Sequence, residues 1–343
     1  MTLFLCSKII SSLFYNKQVI FLKVASFTIW YIVIESISKK KDRSDEMSLN
    51  PILKELGFSK NDKTVIIHAD DVGLNHSAIE AYAELMDLGT ISSGSVMAHT
   101  SWLPEVVKQA KENKHWDLGV HAAFNGEYKT YKWRPLSTTD KESGFIDAHG
   151  FFVEDKAQVQ ETADPAYLEK ELDAQIQLAL DLGLDVSHVD THTGTLWNKK
   201  FMESYVSVYN KFNIMPVLFN PKEDAELIRS MVPELNIERL AELGEMNFPL
   251  VDGISGLPVE HTYDIDERFE LAKQMLKAVQ PGKLIHFAFH PIKDSPETQA
   301  LDRYTGGRTG DFEVFRKKEM KAFLENEGIQ LVNYTQIRDV LNQ

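Results

Sequence analysis

From residue 64 to the C-terminus, short apolar runs alternate with longer segments whose apolar residues recur at helical spacing. The run TVIIHA at 64–69 shows no two-residue alternation, as expected of a strand buried on both faces. Residues 77–88 then place Ala78, Ile79, Tyr82, Leu85 and Met86 on one helical face, with Gly89 as the stop signal. The same reading predicts strands at 91–97, 117–122, 186–189, 214–219, 284–289 and 329–333. It predicts helices at 103–113, 165–182, 199–212, 268–279, 311–327 and at the end of the chain. Repeated strand–helix units imply a parallel sheet covered by helices. The expected class is therefore α/β, with a barrel or barrel-like sheet as the architecture. A chain of 343 residues, 43% of them hydrophobic, suffices for one large domain with a sizeable core.

Several function classes lack their signatures. No Gly-x-Gly-x-x-Gly follows the first strand, and no Walker-type Gly-Lys-Ser/Thr occurs. The net charge is -14, and no basic stripe runs through the body, so a nucleic-acid partner is not expected. Cys6 is the single cysteine, which rules out an intramolecular disulfide and any multi-thiolate zinc site. Any metal must be held by His, Asp and Glu.

Two stretches depart from the rhythm. Residues 124–165 hold Gly126, Pro135, Gly144, Gly150 and Pro165 among Tyr128, Tyr131, Trp133, Phe145, Phe151 and Phe152. This reads as a long aromatic-rich loop or a small excursion, and loops of that length in compact domains are usually functional. Residues 1–46 form a hydrophobic and basic extension. Its run at 19–34 is apolar except for Lys23, Ser26 and Thr28, and Lys39, Lys40, Lys41 and Arg43 follow. That run is slightly shorter than the ~20 residues a spanning helix needs, and it lacks the charge order of a secretory signal. Met47 opens MSLNPILKELGF, which reads as the natural start of a soluble protein. The expectation is a folded domain at 47–343 in the cytoplasm, with the extension outside it. Membrane contact arises only if 19–34 is retained as an anchor, in which case the basic cluster keeps the body cytoplasmic; if the run acts as a signal, the protein is exported. A homo-oligomer is compatible with the sequence.

The unusual polar residues sit where the strands end. The first strand runs into Asp70-Asp71-Val72-Gly73, the third ends Gly119-Val120-His121, the fourth reads His188-Val189-Asp190-Thr191-His192, and a late one ends His286-Phe287-Ala288-Phe289-His290-Pro291. Any one alone is adequately explained as a turn, a cap or a core histidine. In parallel α/β folds, however, catalytic groups gather at the C-terminal ends of the strands. Four such ends together point to one site. Carboxylate and imidazole donors around a metal, with open positions for water and substrate, form a hydrolytic arrangement. These donors suit Zn, Mn, Fe, Co or Ni without choosing among them. Two adjacent aspartates can divide the labour, one holding metal and one taking a proton from water. A histidine across the site can protonate the leaving amine.

The segments VIIHADDVGLNHSAIEAY, Gly119–His121, SHVDTH at 187–192 and HFAFHP at 286–291 together resemble the YdjC/ChbG family of carbohydrate deacetylases. The resemblance runs from about residue 64 to the C-terminus, and Ala-Asp-Asp-x-Gly is its most specific element. It implies a distorted (β/α) barrel of the glycoside hydrolase/deacetylase type, in a single domain. It implies one divalent metal ion, Mg2+ or Zn2+, held by Asp71, His121 and His192, with Asp70 as base and His290 as acid. The implied reaction removes an acetyl group from an N-acetylated amino sugar or short chitin-type oligosaccharide, so the expected partner is a small carbohydrate. Tyr128, Tyr131 and Trp133 are candidates for stacking on sugar rings. Arg303, Arg308 and Asp311 are candidates for supporting the site or clamping substrate. Two positions depart from the family pattern: Thr193-Gly194-Thr195-Leu196 replaces a His-rich run, and His68 stands where an apolar or amide residue is frequent. Both leave the metal donors in place and bear on the substrate.

Rival readings remain at this level. A phosphoesterase or amidohydrolase on a related barrel usually has ligands for two metals, and the short donor set here favours one. A metal-free glycosidase requires carboxylates about 5–9.5 Å apart, whereas Asp70 and Asp71 are neighbours in sequence. A sugar-binding protein without catalysis has no need of an Asp-plus-two-His set.

Overall fold

The computed structural model describes residues 49–221, 234–260 and 264–342. The expected extension at 1–46 lies outside them. Among the described residues no helix is long and apolar enough to cross a membrane.

Among the described residues, eight strands form one sheet: β1 (Lys63–Val72), β2 (Ser93–Val96), β3 (Leu118–Ala122), β4 (Val186–Thr191), β5 (Met215–Pro216), β6 (Gly253–Gly256), β7 (Leu284–Phe289) and β8 (Ile329–Leu331). Their order is β5-β4-β3-β2-β1-β7-β6, and every pairing is parallel. β1 pairs with β7 along one edge. Its other edge is shared between β8 at Lys63–Val65 and β2 from His68 onward. The two ends of the path approach each other where Phe219 bridges Val251, with Val251 N donating to Leu218 O at 3.0 Å and Asn220 N to Val251 O at 2.8 Å. The sheet thus curls into the expected distorted α/β barrel.

Local sequence explains most of the elements. Val65, Ile66 and Ile67 are all fully buried, because β1 is covered on both faces. The helix His76–Leu88 is capped by the Asn75 side chain, which accepts from Ala78 N, and ends at Gly89 in the left-handed region. Pro165–Asp181 opens on the Asp164 cap with Pro at its first position and buries Leu168, Leu172, Ile176 and Ala179.

One expected helix is corrected, and two segments are more structured than their local sequence suggests. The helix expected at 311–327 is two, Thr305–Phe315 and Lys318–Asn326, separated where Lys317 turns extended. The break lets Phe315 pack on Phe289, ring centres 4.1 Å apart, while Met320 and Leu324 bury separately. β6 has no apolar signature, since Asp252, Gly253, Gly256 and Pro258 read as a turn. It exists because a bare Gly256 lets the backbones close up: a Cβ there would lie 2.2 Å from Ala288 O. The aromatic stretch at 124–165 is also not an open loop. It contains a 3-10 turn (Lys141–Ser143), an Ile146–Phe152 bridge and a helix (Lys156–Thr162). Phe124, Tyr128, Phe145 and Phe152 are buried in it. Buried Glu171 pins it by accepting from Leu136 N at 3.0 Å, Ser137 N at 2.8 Å and Ser137 Oγ at 2.6 Å.

The barrel interior explains the glycine of Gly119-Val120-His121. A Cβ at Gly119 would lie 2.6 Å from the ring and the carbonyl oxygen of His188 on β4. Gly119→Ala is expected to destabilise the protein by about 1–3 kcal/mol through overpacking. The measurement is the midpoint of denaturant unfolding; an unchanged midpoint would show that the interior relaxes around a methyl group.

Candidate active site

The site begins with the end of β1. Side chains alternate along a strand, so His68 and Asp70 share one face and Asp71 belongs on the other. The structure overrides this alternation. Asp71 adopts φ 61, and the register between β1 and β2 shifts between Ala69 and Val72. Such a bulge re-aims a side chain, here at the cost of a left-handed backbone worth about 1–2 kcal/mol. Both carboxylates consequently reach His121: Asp71 as one of Asp71, His121 and His192, Asp70 as one of Asp70, His121 and Asp190, the donor atoms of each group lying within 4.8 Å of one another.

Asp71 Oδ1 is 3.2 Å from His121 Nε2 and 3.4 Å from His192 Nδ1, and all three side chains are 1–3% exposed. The other oxygen, Oδ2, accepts from Arg308 at 2.7 Å, and Arg308 also donates to Glu127 at 2.7 Å. Burial alone would raise the Asp71 carboxyl. The Arg308 guanidinium and the two imidazoles outweigh it and hold the group well below the usual carboxylate range. His121 shows the mirror image: burial would lower its ring, but Asp190 raises it well above the ordinary value. Asp190 Oδ2 lies 2.8 Å from His121 Nδ1 and also accepts from Ser95 Oγ at 2.9 Å. With its Nδ1 proton directed at Asp190, His121 turns Nε2 toward Asp71, as the outer partner of a metal-binding histidine does.

These residues fit a divalent metal. Asp71 Oδ1 is buried and makes no hydrogen bond of good geometry, although two imidazole nitrogens stand beside it. One carboxylate and two imidazoles are the donors of an open three-ligand site.

Asp70 and His290 stand at the rim, 12% and 18% exposed, with His290 Nε2 3.7 Å from Asp70 Oδ2. Asp311 fixes the backbone there. It accepts from His290 N at 2.8 Å and from Arg268 at 2.9 and 2.6 Å. Burial would raise Asp70, but the hydrogen bond from His68 and the charge of His121 bring it below its ordinary value.

Of the two roles expected for Arg308 and Asp311, their burial and partners match support of the site, while the aromatic candidates lie deeper than a platform would. Arg308 is 1% exposed, wedged between Asp71 and Glu127, so it ties a donor in place instead of clamping substrate at the surface. Arg303 faces Glu154 at 3.3 Å. Tyr128 is fully buried and Trp133 is 5% exposed, so neither offers the open ring face that stacking on a sugar requires. Tyr131 is partly buried and donates to Leu74 O. Trp133 instead walls the site, its ring centre 6.2 Å from His192 and 5.3 Å from His99. Burial and the nearby His192 and His121 push the His99 ring down to about 3, so it is neutral there.

Sequence reading overlooked Asp190, Ser95, Glu127 and His99. Asp190 carried a signal, since it sits two residues before His192 in a motif already singled out. Glu127 carried none, because its partner Arg308 lies 181 residues away.

With this geometry in hand, the comparisons with known proteins are specific. A family model described as YdjC-like protein matches residues 64–326. A carbohydrate deacetylase of Thermus thermophilus is 30% identical over 275 residues, covering 80% of this chain and 93% of that relative. One of Thermoanaerobacter pseudethanolicus is 21% identical, covering 80% and 98%. A solved Enterococcus faecalis structure, described as a cellobiose-phosphate cleavage protein, superposes with a TM-score of 0.65 at 20% identity, covering 80% of this chain and 98% of that one. The last likeness speaks for the fold.

Proposed function

This chain belongs to the YdjC-like family, and on that premise we propose that it is a carbohydrate deacetylase that hydrolyses an N-acetyl group from an amino sugar or short oligosaccharide with one divalent metal ion. The observation that carries the reading is the convergence of Asp71, His121 and His192 in a buried cluster beneath a rim formed by Asp70 and His290. The three buried donors would hold the metal, which when bound polarises the acetamide carbonyl and makes water more acidic. Asp70 takes a proton on Oδ2 from the water that adds to the carbonyl carbon. His290, across 3.7 Å from that oxygen, gives a proton to the departing nitrogen as the C–N bond breaks. Acetate and a free amino sugar result. Arg308 and Asp190 do not touch the reacting atoms. They orient Asp71 and His121 and keep the one ionised and the other aimed.

The test is acetate release from N,N′-diacetylchitobiose. Activity is expected to vanish on treatment with a strong chelator and to return when a divalent metal is added back. Acetate release that persists after complete metal removal would overturn the metal-dependent reading. New reducing ends without acetate would instead identify a glycosidase.

A further inference from the structure

The barrel interior below the site is lined by histidines that the reaction does not use. His68, His188 and His286 stand on β1, β4 and β7 and are 0%, 0% and 3% exposed. Tyr334, also fully buried, stacks on His188 with ring centres 3.9 Å apart, and its hydroxyl lies 2.7 Å from His286 Nδ1. His68 links this layer to the rim. Its Nδ1 is 2.7 Å from Asp70 Oδ1, its Nε2 is 2.8 Å from His188 Nε2, and His188 Nδ1 is 2.9 Å from Ser187 Oγ.

The contacts admit a single consistent direction if none of these three rings is ionised, the form burial favours. An ionised Asp70 only accepts, so His68 Nδ1 donates. His68 Nε2 is then the acceptor, His188 Nε2 donates to it, and His188 Nδ1 accepts from Ser187 Oγ. The result is a chain of hydrogen bonds from β4 to Asp70, each member locked by the next. It ends on one oxygen of the carboxylate, Oδ1. The other, Oδ2, is the atom that faces His290 at 3.7 Å.

We infer that His68 is a positioning residue that fixes which oxygen of Asp70 receives the proton, by holding Oδ1 with an Nδ1–H anchored through His188. The inference rests on the reading of Asp70 as the base. It also explains why Gly119 must leave room for the His188 ring. A carboxylate free to rotate would present either oxygen at varying angles, and misplacing a catalytic group by about 1 Å can cost on the order of 10²-fold.

Two measurements test this. The first is kinetic, on N,N′-diacetylchitobiose with metal content checked. His68→Ala is expected to lower kcat by about 10–100-fold with KM within about twofold, whereas His68→Asn, whose amide can donate to Oδ1, recovers most of the rate. In an Asp70→Asn background, His68→Ala should cost less than about threefold more, because a residue that acts through Asp70 has nothing left to act on. The same loss in both backgrounds, or an unchanged kcat, overturns the inference. If His68→Ala does not fold, His68→Met takes its place, matching bulk without a donor. The second is the nitrogen NMR spectrum of the histidine rings. A proton on His68 Nδ1 is expected, and a bare Nδ1 overturns the inference. If the native protein releases no acetate, the deacetylase reading falls, while the spectrum still decides where His68 carries its proton.

Discussion

Replacing His192 with alanine is expected to abolish metal retention and acetate release together. His192 Nδ1 stands 3.4 Å from Asp71 Oδ1 and 3.3 Å from His121 Nε2, so its removal leaves one carboxylate and one imidazole. Loss of an outer partner of a metal ligand typically costs about 10–100-fold in affinity or activity, and loss of the ligand itself should exceed that. The fold should survive, because the strand preceding the residue is held by its pairings with β3 and β5 and not by the ring. Metal stoichiometry by elemental analysis, beside circular dichroism and the acetate assay, reads the result. A folded variant that still binds one equivalent of metal would remove His192 from the ligand set.

Asp70→Asn separates the two adjacent aspartates. The three donors Asp71, His121 and His192 are untouched, so the variant should bind metal like the parent. The amide oxygen can still accept from His68 Nδ1, now 2.7 Å from Oδ1, which keeps the side chain in place. What is lost is a group able to take a proton, and turnover should fall by about 10²–10⁴-fold, the range of general-base contributions. Metal content equal to the parent with a rate also equal to the parent would eliminate Asp70 as the base. A loss of metal together with the rate would instead place Asp70 among the ligands, an alternative open to it because its carboxylate also reaches His121.

Much of this could be read from sequence because it is local. Apolar runs of six residues and helical faces with Asn, Asp or Pro at their starts are short-range signals, and the parallel sheet follows from their order. The polar residues at 70–71, 121, 192 and 290 were visible because they interrupt strand ends where apolar residues would otherwise continue. Other features were hidden for physical reasons. β6 is made of residues that favour turns and is a strand only because β7 pairs with it. The helix break at Lys317 serves the packing of Phe315 on Phe289, a contact no local pattern records. The aromatics at 128 and 133 look alike in sequence whether they face solvent or core; in the fold both rings are buried, and Trp133 packs near His192.

The sequence by itself determined the inventory: an α/β chain, donors limited to carboxylate and imidazole by the single cysteine, and an ordered set of motifs characteristic of one family. The tertiary structure decided which of those donors meet. Strand alternation would send Asp70 and Asp71 to opposite faces, and only the bulge at Asp71, held against β2, turns both toward His121. The partners that set their charge, Arg308 with Glu127 and Asp190 with Ser95, come from segments as much as 237 residues apart. Electrostatic interaction depends on distance through space and on burial, and neither quantity is defined until the barrel closes.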